Sequence, residues 1–331
     1  MTSIALFNNQ GGVGKTTLTY HLAHMLQRLG HRVLAVDLDP QADLTSLFLQ
    51  DEDLSLVAAQ PTISTITDAL DPLMRGRGDI AEPELLEATD GLWLLAGDIG
   101  IGDFEDGLHD AWSRTVHDDD LGSVRKVTAI HQVIAAAEKL VDADFVLIDL
   151  GPNLGAVNRV ALLSADTVVV PVTTDRYSAR GLRSLGASLR NWRATWQQDL
   201  LPKVPGDIAA PVGRMHPLGY VLVRSAITRI DRPSLTYQQR VEALPRIFAE
   251  ALLDEPTSEP STPHELATIR NYRTLSLLSQ EHRKPMFALL PADGALGSTG
   301  VLVRKCYQEF HQLAAELLHR LASRTAEQKP G

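Results

Sequence analysis

Apolar residues gather in short runs along the chain, at SIALF, RVLAV, LWLL, FVLID, TVVVPV, LGYVLV and PMFALL. Between most of these runs the apolar positions recur every three or four residues. Runs of that length predict buried strands and the spacing between them predicts helices. The alternation predicts an α/β fold, a doubly wound, mainly parallel sheet of about seven strands with helices on both faces. In the first interval Leu18, Leu22, Met25, Leu26 and Leu29 keep helical spacing, and Gly30 stands where a left-handed cap would end the helix. Three segments depart from the alternation and are expected to be loop insertions in a single domain spanning 1–331. They are the acidic, glycine-rich 97–122, the proline-rich 199–214 and 254–267, which contains DEPTSEPSTPHEL.

Composition narrows this picture. The 331 residues are 44% hydrophobic, enough for a large core, and carry a net charge of −10, which excludes a surface basic throughout but allows a local basic face. One cysteine, Cys306, rules out a disulfide framework within the chain and fits a reducing, cytoplasmic setting. No run reaches the roughly 18 apolar residues of a membrane span. His21 and His24, three residues apart on the first predicted helix, are expected to be surface or packing residues.

The chemistry concentrates in FNNQGGVGKTTLTYHL, which follows the first predicted strand and opens the first predicted helix. Backbone amides from Gly11 to Lys15 can converge on phosphate oxygens only where side chains stay out of the way, which accounts for Gly11, Gly12 and Gly14. Lys15 would then reach the outer phosphates, and Thr16 would place its hydroxyl on Mg²⁺. The predicted nucleotide contacts are Gln10, Gly11, Gly12, Val13, Gly14, Lys15, Thr16 and Thr17. Asn9 stands where the GxxxxGK[ST] pattern has its first glycine. VLAVDLDPQADLTSLF ends a strand in Asp37 and Asp39, and FVLIDLGPNLG ends one in Asp149, where a nucleotide site needs carboxylates.

GGVGKTT, DLDPQADLT, IDLGPNLGAVNRVALLSADTVVVPV and GLRSL together resemble the ParA/MinD family of deviant Walker A ATPases, and its ParA branch in particular. The likeness runs from Ile4 to about Val223 and resumes weakly at RKPMFALLPADGALG and CYQEFHQLAAELL. It implies a P-loop fold and a Mg-ATPase that dimerises around two ATP molecules and uses hydrolysis to time the positioning of DNA or another cargo through an adaptor protein. A nucleotide-binding scaffold with weak or no hydrolysis is the alternative. By motif position Lys15 is the phosphate lysine, Asp39 the carboxylate orienting the attacking water, Asp149 the Walker B acid, and Thr16, Asp37 and Asp149 the metal set.

Two positions differ from the family pattern. The signature lysine falls on Gln10, which can donate a hydrogen bond but carries no charge, so turnover is expected to be slow. Asn153 replaces the second proline after the Walker B strand. Arg159 and Arg176 are candidate replacement cations. For DNA, Arg180, Arg183, Arg190 and Arg193 fall within about 140° of a helical wheel, with no acid between Asp175 and Asp199. They predict a non-specific, nucleoid-associated contact. The last helix mixes Arg304, Lys305, Arg320 and Arg324 with Glu309 and Glu316, and the tail lacks the apolar face of a membrane anchor.

Overall fold

The computed structural model describes residues 1–49, 63–118, 120–175, 178–224, 235–255 and 264–327. One eight-stranded sheet has the order β3-β4-β2-β5-β1-β6-β7-β8. Its strands are β1 (Thr2–Leu6), β2 (Val33–Asp37), β3 (Leu86–Thr89), β4 (Leu92–Leu95), β5 (Phe145–Asp149), β6 (Thr167–Val172), β7 (His216–Arg224) and β8 (Glu265–Arg270). Every pairing is parallel except β3 with β4, which are antiparallel. Parallel strands are covered on both faces, so they read as unbroken apolar runs rather than alternating ones.

Side chains alternate across β1. Ala5 and Phe7 face one core with Val36, Ile148 and Val170, whereas Ile4 and Leu6 face another with Val33, Leu147 and Val169. The first core is covered by α3 (Ile66–Met74), α4 (Ile101–His117), α5 (Leu121–Val141), α6 (Ala156–Leu163), α7 (Ser178–Thr195) and α8 (Leu235–Phe248). The second is covered by α1 (Lys15–Arg28), α9 (Arg273–His282) and α10 (Ser298–Glu327). A short α2 (Asp43–Phe48) follows β2. Helix α1 ends as expected: Gly30 has φ 90 and donates to Gln27 O, closing the last turn. No helix among the described residues is long and apolar enough to cross a membrane.

Several expectations need correction. Segment 97–122 is mostly the 17-residue α4, not a loop. Its Ile101, Phe104, Leu108, Ala111, Trp112 and Thr115 are buried at helical spacing, while Asp103, Asp106 and Asp110 point to solvent. The acidic face masked an ordinary amphipathic helix. PMFALL is no strand: Met286–Ala288 form a 3-10 turn between Pro285 and Pro291, with Met286 and Phe287 buried against α1 and α10. Strands β3 and β8 were not expected. β3 is largely exposed, and β8 begins inside the segment assigned to an insertion, whose residues 256–263 lie outside the described residues. In segment 199–214 the π-helical turn Trp196–Leu200 ends, a 3-10 turn follows at Leu201–Lys203, and residues 204–214 are irregular.

Candidate nucleotide site

The glycine-rich loop leaves β1 at the centre of the sheet, where the chain turns to β2 on one side and β6 on the other. Parallel α/β folds place ligands at this switch point, beyond the carboxyl ends of the strands. Gly12 and Gly14 have φ 73 and φ 86, values that a side chain would strain. The loop is anchored from below by Asn8, which is buried and donates from Nδ2 to Pro171 O on β6 at 2.7 Å. Asn8 Oδ1 accepts from the Gln10 amide at 3.0 Å. Lys15 is 7% exposed, and its Nζ lies 3.4 Å from Gln10 O. Burial lowers the Lys15 pKa, opposed by the charges of Asp149 and Asp39.

The carboxylates arrive from adjacent strands. Asp37 and Asp149 are register partners on β2 and β5, and both are fully buried. Burial pushes Asp149 up to about 8; Asp37 adds to the shift, and the Thr16 hydroxyl and the Lys15 ammonium oppose it. Asp149 Oδ1 accepts from Thr19 Oγ1 at 3.2 Å, whereas Oδ2 is buried without a hydrogen-bond partner. Asp39 is 8% exposed, with Oδ1 taken by the Gln41 amide at 3.0 Å; a Cβ on Gly151 would come within 3.5 Å of that oxygen. Lys15, Thr16 and Asp39 thus all lie close enough to Asp149 to act on its carboxyl group.

Asp37, expected among the metal ligands, has both oxygens engaged within the chain. Oδ1 accepts from the Asp39 amide at 3.1 Å, and Oδ2 accepts from the Thr45 amide and hydroxyl at 2.8 Å each. Burial raises its pKa to about 6, and the Thr45 bonds oppose the rise. It therefore shapes the turn from β2 into α2. Thr45 Oγ1 also accepts from the Gly97 amide at 2.9 Å, and a Cβ on Gly97 would sit 2.6 Å from Asp37 O, so only glycine fits there. Asn153 makes the turn after β5, accepting at Oδ1 from the Gly155 amide and from Asn158 Nδ2.

The residues fit Mg²⁺. A buried carboxylate with one unsatisfied oxygen and a hydroxyl one helical residue past Lys15 supply the hard oxygens it prefers. No cluster of three or more His, Cys, Asp or Glu suited to a metal occurs among the described residues, and a site completed by phosphate oxygens needs none.

Other candidates separate. Gln10 Nε2 donates to Asp175 Oδ2 at 2.6 Å. Arg159 cannot serve as a replacement cation: its guanidinium lies 4.5 Å from the centre of the Trp112 ring and 5.8 Å from that of Trp192, built into the helix packing. Arg176 lies outside the described residues. The four arginines of α7 do not form one basic face. Arg180 and Arg183 are exposed, but Arg190 Nη1 donates to Ala251 O at 2.6 Å and pairs with Asp254 at 3.2 Å, and Arg193 Nη2 donates to Met215 O at 2.8 Å. On α10, Arg320 is tied to Glu316 at 2.7 Å and to Glu265 O at 2.9 Å.

Sequence reasoning missed Asn8, Thr19, Thr45 and Asp175. Thr19 was detectable, since it lies one helical turn past Lys15. His21 is a packing residue: Nδ1 pairs with Thr17 O at 2.7 Å, Nε2 accepts from the Met286 amide at 2.9 Å, and the ring stacks on Phe310. Burial lowers its pKa to about 4.

Residues 1–201 match the AAA domain family. The chain is 33% identical over 191 residues to the chromosome-partitioning ATPase Soj of Thermus thermophilus, spanning 58% of this chain and 62% of that one. It is 30% identical over 265 residues to a probable plasmid-partitioning protein ParA of the same organism, spanning 80% and 69%. An ATP complex of Cyanothece McdA superposes with a TM-score of 0.63 at 15% identity, over 96% of each chain, a likeness of fold. The chain belongs to the AAA domain family and, within it, to the ParA–Soj group of partition ATPases.

Proposed function

We propose that this protein is a Mg-ATP-dependent dimerisation switch that positions DNA or another cargo through an adaptor protein. The observation that carries the reading is that Lys15 and Thr16, at the start of α1, and Asp39, after β2, all act on Asp149 at the end of the adjacent β5, with Asp149 Oδ2 buried and unpartnered. Backbone amides of Gly11, Gly12, Val13 and Gly14 would surround the phosphates, and Thr17 would flank them. Lys15 offsets charge that develops on the outer phosphates as the bond breaks. Thr16 and Asp149 would hold Mg²⁺, which neutralises phosphate charge and fixes its geometry. Asp39, less buried than Asp149, orients a water for in-line attack and accepts its proton. Gln10 adds no cation, and its amide is engaged by Asp175, which favours slow turnover. The exposed Arg180 and Arg183 form the DNA contact of this reading.

Calorimetry with MgATP tests the site. Wild type should bind, and Lys15→Ala should lose affinity by about 100-fold, because a charge-assisted contact to phosphate disappears. Equal affinity in the two proteins would remove Lys15 from the phosphate site.

A further inference from the structure

Gln10 is bonded at backbone and side chain alike. Its carbonyl faces Lys15 Nζ at 3.4 Å, its amide donates to Asn8 Oδ1, and its Nε2 donates to Asp175 Oδ2 at 2.6 Å. Asp175 Oδ2 also accepts from Thr173 Oγ1 at 2.6 Å, and Asp175 Oδ1 accepts from the amide of Ser178, the first residue of α7, at 3.0 Å. Asp175 therefore caps α7 with one oxygen and grips the phosphate loop with the other. A bond to an ionised acceptor is roughly twice as strong as a neutral one, so the grip is a strong one. The next turn of α7 rests on the same loop: a Cβ on Gly181 would lie 3.6 Å from Asn9 Oδ1.

The grip also has an opposing term. With Nε2 on Asp175, Gln10 Oε1 is buried without a partner, and so is Asn9 Oδ1. Unmet buried acceptors disfavour the arrangement that buries them, so the contact is poised rather than locked. Gln10 is moreover the residue whose carbonyl Lys15 touches. A shift of the ammonium toward phosphate oxygens changes the bonding of Gln10 first.

We infer that Asp175 is a positioning residue of the nucleotide site, which through Gln10 ties the Lys15 loop to the first turns of α7, so that loading the loop loosens those turns. The link rests on the bonds of Gln10 and Asp175 themselves; its response to loading rests on the MgATP reading above. A plain helix cap would also explain the Ser178 bond, and it predicts no effect from substitutions at residue 10.

Amide hydrogen exchange on the full chain separates the two. Without nucleotide, Gln10→Glu sets a carboxylate against Asp175 and should speed exchange over 178–186 about fivefold, leaving 156–163 unchanged as a control for folding. Gln10→Lys, which places an ammonium against Asp175, should keep wild-type protection. With MgATP, exchange over 178–186 should rise in wild type and not in Lys15→Ala. Wild-type exchange over 178–186 in Gln10→Glu, or equally fast exchange in Gln10→Lys, would overturn the link. If Gln10→Glu acts as expected while MgATP that binds in calorimetry changes nothing over 178–186, the link stands and the loosening on loading is overturned; absence of binding in calorimetry would instead remove the nucleotide reading.

Discussion

Lys15 opens α1 after the loop that leaves β1, Asp39 follows β2 and Asp149 closes β5; the three strands are adjacent and their apolar residues almost wholly buried. The other flank of the same loop meets a turn, where Gln10, Asp175 and the start of α7 are held by a few side-chain bonds. One flank is fixed by the packing of the sheet. The other depends on contacts that a single substitution or a ligand can exchange. On the proposed reading the first flank carries the chemistry and the second the communication, since a packed core is stiff and a few polar bonds can be exchanged.

The largest effect that could break this division is on turnover. Asp39→Ala should lower ATP hydrolysis at least about 100-fold while MgATP affinity stays within a few-fold, because water activation is lost and the phosphate cradle is kept. Phosphate-release kinetics beside calorimetry measures both. Hydrolysis at the wild-type rate would place the base elsewhere.

A smaller effect sharpens the claim that the first flank is stiff. His21 joins α1 to the turn at Met286, and its folded pKa of about 4 lies below the ordinary 6.5. The folded state thus binds fewer protons than the unfolded one, so His21's contribution is full above pH 6.5 and is lost as pH falls toward 4. His21→Phe should cost about 2 kcal/mol at pH 7, because the Met286 amide is left unpaired. At pH 5 protonation has removed about 2 kcal/mol from the wild type alone, and the two stabilities should meet. Urea unfolding at both pH values reads this, and a constant gap would show that His21 does not titrate with folding.

The smallest effect concerns α7. Arg180→Glu with Arg183→Glu should weaken binding to unrelated DNA sequences about tenfold and flatten its salt dependence by nearly two phosphate contacts. Arg190→Ala and Arg193→Ala should instead lower stability by about 1 kcal/mol each, through lost bonds to Ala251 O and Met215 O, with the salt slope unchanged. Fluorescence anisotropy across a salt series separates the pairs. Equal loss of DNA affinity from both would restore a single basic face.

The two flanks also differed in how far they could be read in advance. SIALF, RVLAV and FVLID are buried on both sides, so composition alone marks them as strands, and the acids that end RVLAVD and FVLID follow from chain order. The wheel that grouped four arginines gives an angle on one helix and says nothing about what packs there. Arg190 meets Ala251, sixty-one residues on. The Gln10–Asp175 bond spans 165 residues and is invisible to local periodicity for the same reason. PMFALL misled because a short apolar run marks burial without fixing backbone shape.

Sedimentation of the wild type and Asp39→Ala, with and without MgATP, tests the switch most directly. Both should be monomers without nucleotide, the wild type should form a dimer in MgATP that disappears as ATP is consumed, and Asp39→Ala should remain a dimer. Wild type that stays monomeric at saturating MgATP, with Asp39→Ala behaving identically, would contradict the account.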